Sequence, residues 1–404
     1  MSSRSILHLD LDTFFVSCER LLDSRLEGKP ILIGGTSDRG VVASCSYEAR
    51  TYGVHSAMPM RMARQLCPEA IVIRGNSSTY SKFSNLVTDV IKEDAPIYEK
   101  SSIDEFYLDV SGMDKFFGCY KWSQELRNRI LKETGLPISF GLSTSKTVAK
   151  IGTGEAKPNN HKQIPTGTEK PFLAPLSVKK IPMVGDQTYR KLRSMGVGKV
   201  KTVQEMPMEL MTRVLGKPGT SLWKKAQGVD NSPVVAYQER KSISIERTFE
   251  KDTDDQVKLK SIITAMAENL AYQLRNGDKL TSCVTVRIRY ADFQTYSKQK
   301  RIPYTAADHH LIEVVQELFE QLNDRRILIR LVGVRYSHLV GGAYQINLFE
   351  DTEEIINLYQ AMDKMRNRYG QDAVKRAVAM GSKGIGRSNP FNGQPPVIPA
   401  HRRA

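Results

Sequence analysis

The sequence predicts an α+β chain of several domains, and three observations carry that prediction. Up to about residue 165, short apolar runs alternate with helical stretches in the β-α-β-β-α-β sense of a ferredoxin-like unit. Residues from about 165 to 230 then read as short helices rich in Lys and Arg. Past Lys241 long alternating strands return, interleaved with two long helices. At 404 residues the chain exceeds one typical domain, and its 40% hydrophobic content is enough for real cores.

Within the first part, a strand around Ile6–Asp10 leads into a mostly helical and mixed insert. The insert holds strands at Ile31–Gly34 and Gly40–Ser44 and a helix near Met60–Leu66, which stops before Pro68. An apolar strand follows at Ser101–Val110, then a helix near Trp122–Glu133 and a strand at Ile138–Ser143. A helix from Lys146 runs toward Lys157. The basic segment carries Lys179, Lys180, Arg190, Lys191, Arg193, Lys199 and Lys201. A polar linker with Pro233 precedes strands at Ser242–Phe249, Ser282–Tyr290, Thr295–Pro303 and Leu328–Tyr336. Helices are expected at Gln256–Arg275, Ala307–Asn323 and Ile355–Tyr369. The Gly- and Pro-rich residues from Gly381 onward read as disordered.

Lys and Arg number 59 against 44 Asp and Glu, a net charge of +15. That balance suits a polyanionic partner, and nucleic acid fits best, although a merely soluble basic protein has the same count. The five cysteines are scattered with no C-x-x-C pair, so neither zinc nor a disulfide framework is suggested and a reducing cytoplasm is the simple inference. The start reads as a short strand rather than a signal peptide, and no apolar run is long enough to span a bilayer.

Asp10 stands in the first apolar strand, and Asp104 and Glu105 stand in Ser101–Val110. Buried carboxylates need a counter-charge, and divalent metal ions supply it. Mg²⁺ takes one or two carboxylates plus phosphate oxygens, so the three acids read as a two-metal phosphoryl-transfer site. The competing reading places the same acids at solvated strand ends.

Four motifs accompany these acids in order: Asp10-Leu11-Asp12-Thr13-Phe14-Phe15, Ala43 to Arg50, Ser102 to Glu105, and Ala149-Lys150-Ile151 with Lys157-Pro158-Asn159. Together the series resembles the Y family of DNA polymerases, the translesion enzymes, on its bacterial DNA polymerase IV branch. The resemblance spans residues 1 to about 340 and implies a right-hand polymerase. Its parts would be a ferredoxin-like palm (1–10 and 75–165), small fingers (11–74) and a helical thumb (166–231). A linker (232–241), an α/β little finger (242–340) and a clamp-binding peptide with the C-terminal tail (341–404) would complete it.

The resemblance also assigns roles. Asp10, Asp104 and Glu105 would be catalytic and hold two Mg²⁺ ions, with the Leu11 carbonyl as a further ligand. Asp12 and Asp109 match positions that are usually structural. Ser44, Tyr47, Arg50 and Lys157 would grip the triphosphate of the deoxynucleotide substrate. Phe15 would be the steric gate against a 2′-hydroxyl, with Phe14 beside it filling the core or the nucleotide pocket wall. Ile181 to Gly185 resembles a helix-hairpin-helix that aims backbone N–H groups, Gly185 among them, at a DNA phosphate. Arg287 and Arg289 would present charge to the same backbone. The chain departs from the family at Met183 and Asn160, where Gly is usual, and at Gly154, where Asp is usual.

Gln345-Ile346-Asn347-Leu348-Phe349 resembles the peptide by which bacterial proteins dock on the sliding clamp through Gln345, Leu348 and Phe349. The implied function is low-fidelity, template-directed DNA synthesis on primer–template DNA, with no proofreading domain. It would be carried out by a monomer in the cytoplasm near the nucleoid. The alternatives are a catalytically inactive, clamp-tethered DNA-binding scaffold and a nucleotide cyclase on the same kind of palm.

Overall fold

The first strand, β1 (Ile6–Leu11), reads Ile-Leu-His-Leu-Asp-Leu. Side chains alternate across a strand, so Leu7, Leu9 and Leu11 take one face and Ile6, His8 and Asp10 the other. The computed structural model of the chain, which describes residues 4–113, 118–342, 353–370 and 373–379, shows what each face meets. The chain forms two units, one running to Gln238 and the other beginning at Glu239.

In the first unit, β1 is followed by β2 (Ile31–Gly34), β3 (Val42–Cys45), β4 (Ile71–Arg74), β5 (Tyr98–Lys100), β6 (Glu105–Asp109), β7 (Ile138–Ser143) and β8 (His161–Gln163). The main sheet has the order β5-β6-β1-β7-β8, with β6 and β7 both antiparallel to β1. Its first four strands make the ferredoxin-like arrangement the sequence predicts, and β8 adds an edge strand parallel to β7. The apolar face joins Leu7, Leu9, Leu11, Phe106, Leu108 and Phe140 to Val87 and Ile91 of the helix Ser77–Asp94, and to Leu126 and Ile130 of the helix Cys119–Thr134. The small sheet β3-β2-β4 comes from the insert and carries its own cluster around Leu32, Val42 and Met60.

The opposite face of the main sheet is polar. Its register sets Asp10 beside Glu105 and Ser139, and His8 beside Tyr107 and Gly141. The helix Lys146–Ala156 crosses this face. It comes so close that a Cβ on Gly141 would stand 2.2 Å from the Ala149 carbonyl oxygen and 2.6 Å from the Thr153 nitrogen. Only glycine fits there.

The helix Ser77–Asp94 is not anticipated by the sequence pattern. Its residues include Ser77, Ser78, Thr79, Ser81, Ser84, Asn85 and Thr88, which favour caps and turns in isolation. Asn76 starts it by accepting from the Ser78 and Thr79 amides, and packing of its buried face does the rest. The basic segment is short helices, as expected, around a core of Val178, Ile181, Leu192, Val200, Met211 and Leu222.

The second unit holds β9 (Ser242–Thr253), β10 (Lys279–Tyr290), β11 (Thr295–Thr305), β12 (Ile329–Ser337) and β13 (Val340–Gly341). Its sheet order is β11-β10-β12-β9, with β13 pairing β10. The helices Gln256–Asn276 and Asp308–Leu322 cover one face through Leu259, Ile263, Leu311 and Val315. The helix Glu353–Tyr369 docks on them through Arg275. That guanidinium is 4% exposed, donates to Asp308 at 2.5 Å, and grips Asp363 with two bonds of 2.6 and 2.9 Å. Its forked geometry engages two carboxylates at once, which gives the buried charge its partners.

All five cysteines are free and buried. Burial pushes the Cys18 thiol up to about 12. Among the described residues no helix is long and apolar enough to cross a membrane. The peptide Gln345–Phe349 and the tail from Gly381 lie outside the described residues.

Because helix and sheet meet at Gly141 without room for a methyl group, Gly141→Ala should destabilise the first unit by about 1–3 kcal/mol. Chemical denaturation of the purified protein measures it. An unchanged midpoint would show that the helix can move outward freely.

Candidate active site

Asp10 ends the polar row of β1, and its partner in register, Glu105, is the first residue of β6. Asp104 corrects one expectation. It lies in the bend before β6 rather than inside a continuous strand from Ser101. Ser102 makes that bend: its hydroxyl accepts from the Glu105 and Asp104 amides at 3.0 and 3.3 Å and donates to the Asp104 carboxylate at 2.5 Å. The Leu11 amide donates to the Asp104 carbonyl at 3.0 Å, fixing the bend against β1. The acids therefore sit at strand ends and are also gathered together. The side chains of Asp10 and Glu105 remain 17% and 22% exposed.

Two lysines meet them. Lys146, Lys150, Thr153 and Lys157 fall at spacings of four, three and four, one stripe along the helix Lys146–Ala156 and its C-cap. Lys150 Nζ bonds both carboxylate oxygens of Glu105. Lys157 Nζ lies 2.5 Å from Asp10 and 3.5 Å from Asp12. Lys150 is absent from the site residues predicted from sequence, although the stripe was there to be read. Asp12, expected to be structural, is 1% exposed and accepts from Ser139 Oγ and the Asn159 amide, both at 2.7 Å, and from the Tyr47 hydroxyl at 3.2 Å. Burial pushes Asp10 up to about 7, with Lys157 opposing and the charges of Glu105 and Asp104 adding to the rise. Asp104 is also raised, mainly by burial, against its bond from Ser102.

The insert brings further groups. Ser46 caps the helix Tyr47–Thr51, accepting from the Ala49 amide at 3.2 Å. The exposed Arg50 guanidinium lies over the Tyr47 ring, 5.1 Å from its centroid. Tyr47 is thus tied to both Asp12 and Arg50, and burial raises its phenol above the ordinary range. Ser44 is buried in β3. Thr13 turns the chain out of β1 with a positive φ of 41°. It thereby starts the helix Phe14–Leu22 two residues after Asp12. Phe14 is 3% exposed within the core. Phe15 is half-buried and stacks on Tyr80 at 4.4 Å and 15°. Tyr80, which sequence reasoning did not single out, is held by Glu19 at 2.6 Å.

Gly185 is the N-cap of the helix Asp186–Ser194. The preceding turn is closed by the Val184 amide on the Ile181 carbonyl at 3.1 Å. Pro182 and Met183 are its central residues, and Met183 carries φ +78° with 91% of its surface exposed. A turn with Pro second and positive φ third favours glycine at that third place, so methionine is held there under strain. In the second unit Arg287 reaches across Gly333 to Glu246 at 2.7 Å, and Arg289 donates to Thr295 at 2.8 Å. Arg287 therefore carries a neutralising partner that the alternation pattern did not reveal. Gln345, Leu348 and Phe349 lie outside the described residues.

Among the described residues no group of three or more His, Cys, Asp or Glu stands ready-made around one metal position. The donor set nevertheless fits Mg²⁺: the oxygens are hard carboxylates, partly open, and burial raises the proton affinity of Asp10 and Asp104 despite the nearby Lys157.

Known proteins are similar to this chain over most of its length. The impB/mucB/samB family matches residues 9–154, and that family's C-terminal domain matches 240–348. A DNA polymerase IV of Dehalococcoides mccartyi is 36% identical over 381 residues, 93% of this chain and 97% of that protein. The chain belongs to the Y family of DNA polymerases. It stands with the bacterial DNA polymerase IV branch of these translesion enzymes and is a DNA-directed DNA polymerase. A DNA polymerase IV of Exiguobacterium sibiricum is 37% identical over 343 residues, 84% of this chain and 95% of its own. The thumb domain described for DNA polymerase-iota matches residues 179–230. Among solved structures, a Y-family DNA polymerase chimera of Dbh and Dpo4 is similar with a TM-score of 0.72 and 27% identity, covering 84% of this chain and all of that one. An insertion ternary complex of Dbh DNA polymerase gives 0.61 and 28% over the same shares. The right-hand polymerase fold expected from the sequence is the fold of these relatives.

The state of Asp10 can be read from stability. It titrates near 7 in the folded, metal-free polymerase and near 3.8 ordinarily, so between those values the folded chain holds the extra proton. Its contribution to stability is therefore largest at the acid end of this window and falls as pH rises to about 7. Asp10→Asn removes the term. Its stability relative to the parent should rise across the window and level off above it, measured by urea denaturation with a chelator present. A difference independent of pH would place Asp10 at its ordinary value.

Proposed function

We propose that this polymerase adds deoxynucleotides to a primer 3′-hydroxyl by two-metal catalysis, with low fidelity and without proofreading, in translesion synthesis and DNA repair. The observation that carries the proposal is the meeting of Asp10 and Glu105 in register, with Asp104 bonded to the same strand end, on a polar sheet face swept by lysines. Asp10, Asp104, Glu105 and the Leu11 carbonyl would hold two Mg²⁺ ions. When bound, such ions lower the pKa of the primer hydroxyl and neutralise the triphosphate and departing pyrophosphate.

The chain's own residues do the rest. Lys150 and Lys157 balance Glu105 and Asp10 in the metal-free state, and Lys157 turns to the triphosphate when the acids are otherwise compensated. Arg50, Tyr47 and Ser44 supply donors to phosphate oxygens. Phe15, backed by Tyr80, presents a flat ring beneath the sugar, and Phe14 supports it from the core. Primer–template DNA is held through its phosphates by the turn at Gly185 and by Arg289, with Arg287 contributing once released from Glu246. Gln345, Leu348 and Phe349 dock a sliding clamp, which raises the local concentration of a monomeric enzyme on DNA. A cytoplasmic setting close to the nucleoid suits these partners. The inactive-scaffold alternative gives no reason for three acids and two lysines to be built into one sheet face.

Asp104→Ala or Glu105→Ala should abolish primer extension while leaving DNA binding, measured by anisotropy, largely intact. Retained extension with Mg²⁺ in either variant would sink the assignment.

Phe15→Ala should admit ribonucleotides, because the clash with the 2′-hydroxyl disappears. The check is single-nucleotide insertion with paired deoxy- and ribonucleotides. Unchanged discrimination would move the gate to another residue.

A further inference from the structure

Both lysines of the site ride on one helix, and their reach depends on how that helix is set against the sheet. The close approach at Gly141 fixes the distance between helix and sheet. That contact acts at one point, and Lys146 bonding Glu99 of β5 pins only the start of the helix, so the turns that carry Lys150 and Lys157 need a directional contact of their own. A step of one residue along a helix is about 1.5 Å and about 100° of rotation, enough to carry both lysines off their carboxylates. Something directional must set the register.

His8 and Thr153 are placed to do so. His8 is fully buried on the polar face of β1, two residues before Asp10. Its Nδ1 lies 2.8 Å from Thr153 Oγ1, and its carbonyl lies 3.1 Å from the same hydroxyl. Thr153 lies on the lysine stripe between Lys150 and Lys157. The His8 ring is held in turn by Tyr107, at 4.6 Å. Its Nε2 is buried with no partner among the described residues. Leaving a buried imidazole atom unpaired is unfavourable, so burial alone gives no reason for a histidine here.

We propose that the His8–Thr153 pair is a register lock: two positioning residues that set the helix Lys146–Ala156 on the sheet so that Lys150 meets Glu105 and Lys157 meets Asp10. The link to nucleotide handling rests on the role proposed above for Lys157. The lock itself is a statement about lysine geometry. Polar groups held to within about 0.5 Å by their supporting contacts are what catalytic placement demands.

Thr153→Val keeps the shape and removes the hydroxyl. Two readouts apply, both on the full chain. The first is the ¹⁵N signals of the Lys150 and Lys157 ammonium groups in the metal-free protein. They should shift in Thr153→Val and return in Thr153→Ser. Signals that stay in place in the valine variant, or fail to return in the serine variant, overturn the lock. The second is single-nucleotide insertion. The valine variant should raise KM for the incoming deoxynucleotide roughly fivefold to tenfold, about 1–1.4 kcal/mol. Its kcat should change less and its affinity for primer–template should be unchanged. If the lysine signals move and KM does not, the lock stands and the triphosphate role of Lys157 fails. Should Thr153→Val fold poorly, the double variant His8→Leu/Thr153→Val removes both polar partners and spares stability. It should fold and still show displaced lysine signals. Parent-like signals in that variant would reduce the pair to a packing contact and overturn the proposal.

Discussion

Burying Leu7, Leu9 and Leu11 on one face of β1 forces His8 and Asp10 onto the other. A one-residue slip would exchange the two faces, so the hydrophobic core and the site are fixed by the same register. Neighbouring strands repeat the rule: Phe106 and Leu108 point into the core while Glu105 and Tyr107 point away. The core is thus the reason the acids lie together. The helix Lys146–Ala156 closes the polar face, and Gly141 lets it come near enough for its lysines to reach.

Carboxylates gathered in this way repel one another and lose hydration. The fold meets both difficulties without burying the acids outright. It leaves them at strand ends, partly open, and supplies ammonium groups on long flexible stems. Such counter-charges can withdraw when a stronger cation arrives, which a rigid guanidinium fork would resist. The second unit shows the contrast. There Arg275 is sealed against Asp308 and Asp363, and the pairing serves to dock a helix.

Much of this was legible in advance, where local pattern and global packing agree. Strands such as Ile31–Gly34 and Ile138–Ser143, and the helix Met60–Leu66, follow from apolar runs with clear stops. Asp10, Asp104, Glu105 and Lys157 were visible as motif residues. The helix Ser77–Asp94 was hidden because its composition argues for turns and only tertiary burial makes it helical. Asp104 was misplaced into a strand because the bend depends on a serine hydroxyl bonding two amides, which alternation does not encode. Lys150 was readable from its spacing to Lys146 and Lys157, but only once the helix is known to face the acids. The partners Phe15–Tyr80, Arg287–Glu246 and Arg275–Asp363 are far apart in sequence and carry no local signature.

The burial of every cysteine has a use in the laboratory. A thiol reacts as its thiolate, and one that is enclosed must first be uncovered. Cys18 and Cys119 lie in the core of the main sheet, Cys45 and Cys67 in the cluster of the small one, and Cys283 in the second unit. An alkylating reagent applied to the native chain therefore reads opening events in three separate places rather than surface chemistry. Quenched labelling followed by peptide mass analysis would rank those places by how often each opens. The unmodified protein already contains its own set of stability gauges.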